Sequence, residues 1–465
     1  MDSANTVLDP VFVVNGQKRS LPWILHALED GTALRFDHLR PHQEHAWHLF
    51  LVQTVAMLGP TDDWHERLLA EGDIWDIEPD PGECGFFQPA GRIEDGYKPQ
   101  SYLEREDLPG ISANHRAKGH FPSSLDFWIY VLVAAQTISR HYTHHRQSIR
   151  TSGGWGDRPY VSKVSGLSWS ERFQSDVSLA RSLHEGNDGI HFLWSNLSED
   201  DFFGPESKIS FTDCHPLFVD SCRPYRLKGG TLYYRSGWPN EPLKNNIASL
   251  HAELEDPWLP IDTEDGETRR TSRRGFTYEV VQEYLAGKTI KTPSHHQELG
   301  EDCFFIAQSI AGPKGGSAGI HRRVVKLPAD LSDDLFPEKD TFSERSEQYV
   351  RAAHTVKRQA LRPALLILLG DSDTYSGSHL SRYEARVDQV FFPHLFEHAS
   401  DELGVERWQN HLCDIAGDLF EDALQSCFHW EQKAGADTLF RSRISDLRSY
   451  ELENSGIANT VPAEA

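Results

Sequence analysis

Two periods of apolar residues alternate along this chain. Val11-Phe12-Val13-Val14 followed by Asn15-Gly16 predicts a strand and a tight turn. Pro41, placed in a first helical turn, leads into a strongly apolar helix over His42 to Leu58 that Gly59-Pro60 closes. A second helix is expected from Asp62 to Ala70. Residues Ile77 to Pro122 are rich in Pro, Gly and acids and read mostly as loop, and Leu125 to Ser139 returns to an apolar helix. From Ile190 to Ile261 short strands dominate, as in Pro216-Leu217-Phe218-Val219 and Thr231-Leu232-Tyr233-Tyr234. Thr277 to Ala286 reads as helix. Cys303-Phe304-Phe305-Ile306-Ala307 and Val324-Val325-Lys326-Leu327 read as strands, and these runs together resemble a mixed sheet. Composition shifts between Pro328 and Asp340. Beyond it four helical segments follow, about Ser343–Leu369, Leu380–Leu403, Arg407–Gln432 and Thr438–Glu453, with apolar positions such as Val390, Leu395, Leu412, Ile415, Leu419 and Ala423 at helical spacing. Short connectors predict an up-and-down bundle. The expected fold is α+β: a large mixed α/β N-terminal domain over residues 1–335, a C-terminal four-helix bundle over 341–455, and a disordered tail at 456–465.

Composition fits that division. At 465 residues the chain exceeds a single core, and its 12 Trp and 24 Phe supply a substantial interior. The longest apolar run, near Ala364 to Leu369, is far short of the roughly 20 residues that cross a bilayer. The stretch Met1 to Asn5 lacks the basic-then-apolar pattern of a secretory signal. Cys84, Cys214, Cys222, Cys303, Cys413 and Cys427 are scattered with no C-x-x-C, which argues against a disulfide framework or a cysteine zinc site and fits a reducing cytoplasm.

A formal charge of −24 would discourage nucleic-acid binding if it were evenly spread, but it is segregated. Pro60 to Asp107 holds fourteen acids against four Lys/Arg. Arg140 to Lys163 holds five Lys/Arg, three His and one acid, and Gly312 to Lys326 holds four Lys/Arg and no acid. Both basic stretches contain glycine, in Arg146-Gln147-Ser148-Ile149-Arg150-Thr151-Ser152-Gly153-Gly154-Trp155-Gly156-Asp157-Arg158-Pro159 and in Gly312-Pro313-Lys314-Gly315-Gly316-Ser317-Ala318-Gly319-Ile320-His321-Arg322-Arg323. Glycine lets a backbone approach another polymer closely, and arginine or lysine beside it answers phosphate. Arg269-Arg270-Thr271-Ser272-Arg273-Arg274 is the densest cationic run and reads as an exposed loop able to contact phosphate.

Gly315-Gly316-Ser317 does not fit the phosphate-loop spacing, and H-E-x-x-H does not occur. His38, His42, His45 and His48 cluster at a helix entry, so a zinc hydrolase using His42, His45 and His48 is one alternative; cap and core roles are the favoured reading. His141, His144 and His145 suit phosphate or base contact better than metal, and Asp371 and Asp373 sit where a turn between helices is expected.

At its basic loops the chain resembles a known family, the large subunit of the type I-E CRISPR surveillance complex Cascade (the CasA family). Gly153-Gly154-Trp155-Gly156-Asp157-Arg158-Pro159 matches that family's glycine–glycine–aromatic–glycine–x–arginine–proline stretch. Ser112-Ala113-Asn114-His115-Arg116-Ala117-Lys118 is similar to a serine–lysine–asparagine–histidine segment of some members. His215 to Arg223, Asp256-Pro257-Trp258-Leu259-Pro260-Ile261, Gly275-Phe276-Thr277-Tyr278, the second basic loop through Val325, and the terminal helices also match in order.

The resemblance implies a non-catalytic subunit of a ribonucleoprotein complex in antiviral defence, needing no cofactor or metal. Guide RNA discriminates sequence while protein reads a short protospacer-adjacent motif (PAM) in duplex DNA and helps open it for R-loop formation, a division of labour known from another RNA-guided system. By resemblance the PAM-reading loop maps onto His144, His145, Arg146 and Gln147, a lysine onto Lys244, and a wedge onto Lys314, Gly315, Gly316, Ser317 and Ala318. Arg150, Arg158, Arg270, Arg273, Arg322 and Arg323 would contact DNA backbone, and Asn114 and His115 the guide-RNA handle. Implied partners are the other Cascade subunits, CRISPR RNA, target double-stranded DNA, and a helicase–nuclease or a nuclease domain on another subunit, all in the cytoplasm and away from membrane. Three departures stand out: His-His-Arg-Gln replaces glycines in the first loop, Ser317 stands where some members carry glutamine, and the zinc-binding cysteine pairs are absent. Lys314 or the Gly315-Gly316 turn would then do more of the opening. A purely structural subunit that holds guide RNA through these loops is the remaining alternative.

Overall fold

The chain folds as α+β. The computed structural model describes residues 4–99, 124–137, 159–198, 201, 211–221, 224–235, 255–292, 303–311, 319–328, 341–369, 373–427 and 429–449. Two compact units divide it: Met1–Phe276 with Gly287–Ala329, and Thr277–Ala286 with Asp330–Ala465. A single cut near residue 335 gives no hint of the excursion by Thr277–Ala286, whose helix leaves the first unit's chain to pack with the helices of the second.

In the first unit, β1 (Phe12–Val14) and β2 (Gln17–Arg19) form a hairpin that turns on Asn15 (φ 50) and Gly16 (φ 74). Both turn residues need positive φ, which Asn and Gly tolerate. Five helices follow: α1 (Leu21–Glu29), α2 (Glu44–Leu58), α3 (Trp64–Leu69), α4 (Leu125–Thr137) and α5 (Trp169–His184). Pro41 opens a short 3-10 turn over Pro41–Gln43, and the α-helix begins one residue later, at Glu44. Helix α2 is buried almost all round, which accounts for its lack of a polar face. Asp63 caps α3 by accepting from the backbone N–H groups of His65 and Glu66. Helix α5 opens on a capping box, with the Ser168 hydroxyl accepting from Glu171 N–H and the Glu171 carboxylate accepting from Ser168 N–H.

Among the described residues the strands do not form one mixed sheet. Among the described residues they make five small ones from β1, β2, β3 (Lys98–Pro99), β4 (Tyr160–Val164), β5 (Ile190–Phe192), β6 (Cys214–Val219), β7 (Tyr225–Lys228), β8 (Thr231–Tyr234), β9 (Ile261–Asp262), β10 (Ile290–Lys291), β11 (Cys303–Ala311) and β12 (Gly319–Leu327). The pair β5–β6 is parallel; the other described pairings are antiparallel. Strands of two to six residues offer few side chains to a shared face, and aromatic packing takes over between them. Phe87 stacks on Trp194 at 4.2 Å, and Phe50, Phe86, Trp75 and Phe192 extend the cluster. Buried Arg226 pins the acidic loop that precedes residue 90, donating to the main-chain carbonyls of Pro79, Asp80, Glu83 and Pro89. The chain reverses at Gly85, where a Cβ would lie 2.5 Å from the Asp76 carbonyl.

The second unit is helical: α6 (Tyr278–Ala286), α7 (Phe342–Val356), α8 (Arg362–Leu369), α9 (Asp373–Glu397), α10 (Gly404–Ser426) and α11 (Trp430–Ser449). The long segment expected over Ser343–Leu369 is interrupted by a π turn at Lys357–Leu361. Thr341 and Glu344 form a capping box at the start of α7. Tyr349 and Trp408 stack at 5.3 Å with planes 11° apart; the Trp408 indole donates to Tyr349 O and the Tyr349 hydroxyl to Gly404 O, each at 3.0 Å. No described helix is long and apolar enough to cross a membrane.

Candidate nucleic-acid interface

The longest strands among the described residues, β11 and β12, pair antiparallel from Cys303↔Leu327 to Ala311↔Gly319. Residues 312–318, which join them, lie outside the described residues. Strand β4 pairs with β11 on its other edge from Phe304↔Val164 to Gln308↔Tyr160. Opposed residues share a face of the sheet. One face therefore carries Arg322, Gln308 and Tyr160 in one row and Val324, Ile306 and Ser162 in the next. The other carries His321 with Ser309, and Arg323 with Ala307 and Val161.

The first face meets α2 and α5. At its centre is Asp176 of α5, fully buried. Its carboxylate accepts from His48 Nε2 (2.6 Å), the Tyr160 hydroxyl (2.6 Å), the Ser162 hydroxyl and Trp258 Nε1 (3.0 Å). Burial alone would raise its pKa, but the bond and charge of His48, with the Ser162 and Tyr160 bonds, hold it below the ordinary carboxylate value. Burial lowers His48, against the Asp176 bond and charge, which raise it. One turn earlier on α5, buried Arg172 donates to Glu44 Oε1 at 2.6 Å, and Arg322 of β12 reaches Glu44 Oε2 at 3.4 Å. The two arginines hold the Glu44 carboxyl below its usual value against a burial effect that raises it.

On the other face, His321 lies against Gly275. A Cβ at Gly275 would sit 2.3 Å from His321 Nδ1, and Gly275 has φ +68, so the position suits glycine on both counts. Burial lowers the His321 pKa. This contact ties the segment Arg269–Arg274 to β12. Within it Arg270 and Arg273 are exposed, Thr271 is buried, and Arg269 faces Asp262 at 3.8 Å. The structure thus brings Arg270, Arg273, Arg322 and Arg323 to one sheet and the loop docked on it. His144, His145, Arg146, Gln147, Arg150, Arg158, Lys244, Lys314, Gly315, Gly316, Ser317, Asn114 and His115 lie outside the described residues, as does Asp371.

The histidines at the α2 entry do not converge on a common point. His38 Nδ1 bonds to Asp126 at 2.9 Å and His48 Nε2 to Asp176, while His45 is fully buried, with burial lowering its pKa to about 4. Among the described residues no group of three His, Cys, Asp or Glu side chains is placed to hold a metal. Reading the sequence missed Glu44, Arg172 and Asp176. A signal was present: Arg172 and Asp176 are four apart, on the same side of α5 as buried Phe173, Val177 and Ala180, so an ion pair's worth of charge points inward.

The sequence matches no protein-family model and no curated protein. Solved structures do match over almost the whole chain. The first is CasA (Cse1) of Thermus thermophilus, 16% identical, TM-score 0.68, covering 97% of this chain and 100% of that one. Cse1 of Thermobifida fusca is 14% identical with TM-score 0.60, covering 96% and 98%. The CRISPR-associated protein Cse1 of Acidimicrobium ferrooxidans is 13% identical with TM-score 0.59, covering 97% and 99%. In class, then, this is an α+β protein built from a mixed unit and a helical unit. The particular fold is that of CasA (Cse1), from end to end.

Proposed function

We propose that the chain is the large subunit of a type I-E Cascade complex, reading the PAM in target duplex DNA and helping to open it for R-loop formation. The observation that carries this reading is the correspondence with CasA through both units, 97% of this chain against 100% of that one. The sequence adds cationic loops in an otherwise acidic chain. Phosphate contacts through Arg150, Arg158, Arg270, Arg273, Arg322 and Arg323 set register, and minor-groove donors from His144, His145, Arg146, Gln147 and Lys244 give a coarse readout. Lys314 to Ser317 separate the first base pair, and Asn114 and His115 hold the guide-RNA handle. The subunit works in the cytoplasm with CRISPR RNA and other Cascade subunits, and cleavage belongs to a separate helicase–nuclease or a nuclease domain elsewhere in the complex. It supplies binding energy and carries out no chemistry of its own.

The test is a gel shift with the reconstituted complex and a duplex carrying the protospacer and randomised flanks. Lys244→Ala, and Lys314→Ala with Ser317→Ala, should each weaken target capture on the order of tenfold, as for lost groove contacts, and leave assembly intact. Full target affinity in both variants overturns the reading.

A further inference from the structure

Arg322, a DNA-backbone contact in the function proposed above, already has an anion. Its Nη1 donates to Glu44 Oε2 at 3.4 Å, and the other oxygen of that carboxylate accepts from Arg172 Nη1 at 2.6 Å. The two cations differ in their surroundings. The Arg172 side chain is 2% exposed, that of Arg322 39%. Glu44, in the first turn of α2, is 18% exposed and lies between them. Both arginines hold its carboxyl below the usual range, so it stays ionised at neutral pH. One anion thus serves two cations, and the two are not equivalent. Without Arg322, Glu44 keeps its closer partner and no charge is stranded. Without Glu44, the buried Arg172 guanidinium would be stranded. Arg322 is therefore the exchangeable member. A phosphate oxygen is the same kind of acceptor for a guanidinium as a carboxylate oxygen. A phosphate that takes Arg322 either displaces Glu44 or sits beside a like charge, and both weaken the contact.

We propose that Glu44 sets the strength of that contact: its carboxylate competes with DNA phosphate for the Arg322 guanidinium and so restrains the sequence-independent affinity of the subunit for duplex DNA. This rests on the phosphate role given to Arg322 above and adds the residue that limits it. Phosphate contacts carry no base information, so weakening one shortens dwell on unsuitable DNA and leaves base readout untouched. A partly exposed ion pair is a small opponent, and the restraint amounts to roughly 1.5- to fivefold in affinity.

The experiment measures affinity against salt concentration for the reconstituted complex, on the target duplex and on a scrambled duplex of equal length. Glu44→Gln with Arg172→Met removes the carboxylate together with its buried cation, so no interior charge is left unpaired. Affinity for both duplexes should rise roughly 1.5- to fivefold. Arg172→Met alone leaves Glu44 paired with Arg322, strands no charge, and should lower affinity, because Arg322 is then the carboxylate's closest cation. Arg322→Gln should weaken binding and reduce the salt slope by about 0.9. In that background the Glu44–Arg172 exchange should add nothing, whereas in Arg273→Gln its gain should persist. An equal gain with and without Arg322 would make Glu44 a diffuse repulsive charge and overturn the competition. No gain, while Arg322→Gln loses affinity and slope, overturns it as well and leaves the phosphate contact standing. Unchanged affinity and slope in Arg322→Gln removes the contact and the competition together, and PAM reading is then judged by the Lys244→Ala result alone.

Discussion

In the first unit a carboxylate, Asp176, lies fully buried beneath four donors, whereas in the second three half-buried imidazoles, His394, His398 and His411, pack ring to ring at 4.4 and 5.7 Å. The donors to Asp176 come from positions 48, 160, 162 and 258, so satisfying one acid fixes β4, α2, α5 and the Trp258 segment against each other. The imidazoles come from α10 and from the end of α9, and fix only that corner. A buried anion with distant donors is a device for geometry; an imidazole crowded by other imidazoles is a device sensitive to acid.

The sharpest way to break this contrast is Asp176→Ala, which orphans four buried donors at once. It should cost about 3–5 kcal/mol, seen as a lower urea midpoint with an unchanged slope. A loss below about 1 kcal/mol would mean that the four contacts do not act as a unit.

The pH response is next in size. Burial, reinforced by the charges of His398 and His411 and of Arg407, lowers His394 from its ordinary value near 6.5 to about 4. An unfolded chain takes up that proton as pH falls through 6.5, and the folded one refuses it until about 4. Stability is therefore complete above 6.5 and declines between 6.5 and 4, on the order of 1–2 kcal/mol once partial exposure is discounted. His45 in the first unit is also held near 4, so the readout is hydrogen exchange of α9 and α10, and His394→Leu should flatten it. An unchanged slope in that variant would place the titration elsewhere. The smallest effect belongs to the surface of the second unit, where Arg382 pairs with Asp422 at 2.8 Å and Arg386 with Asp418 at 3.3 Å, all well exposed. Arg382→Ala should shift stability by about 0.2–1 kcal/mol, and less at high salt.

Much of the fold is legible in the sequence where the signal is local. The Asn15-Gly16 turn, the apolar run of α2 and the spacing of Leu412, Ile415, Leu419 and Ala423 all depend on near neighbours. What escapes is non-local or geometric. The π turn at Lys357–Leu361 leaves helical composition intact, so the expected continuous helix over Ser343–Leu369 conceals it. The runs expected in a mixed sheet are divided among small ones, some joining strands far apart in sequence, because register and partner are set by contacts that no single run encodes. In the candidate interface, Arg322 is conspicuous as a cation, but its acceptor Glu44 is distant in sequence and belongs to the first turn of a helix, where an acid is ordinary.

Arg226 has a consequence for the charge of the loop it holds. By gripping the carbonyls of Pro79, Asp80, Glu83 and Pro89 it uses main-chain oxygens as acceptors, and so fixes a carboxylate-bearing loop without spending its negative charge. The loop's carboxylates are thereby kept near fixed positions, and their field decays over about 8 Å in physiological salt.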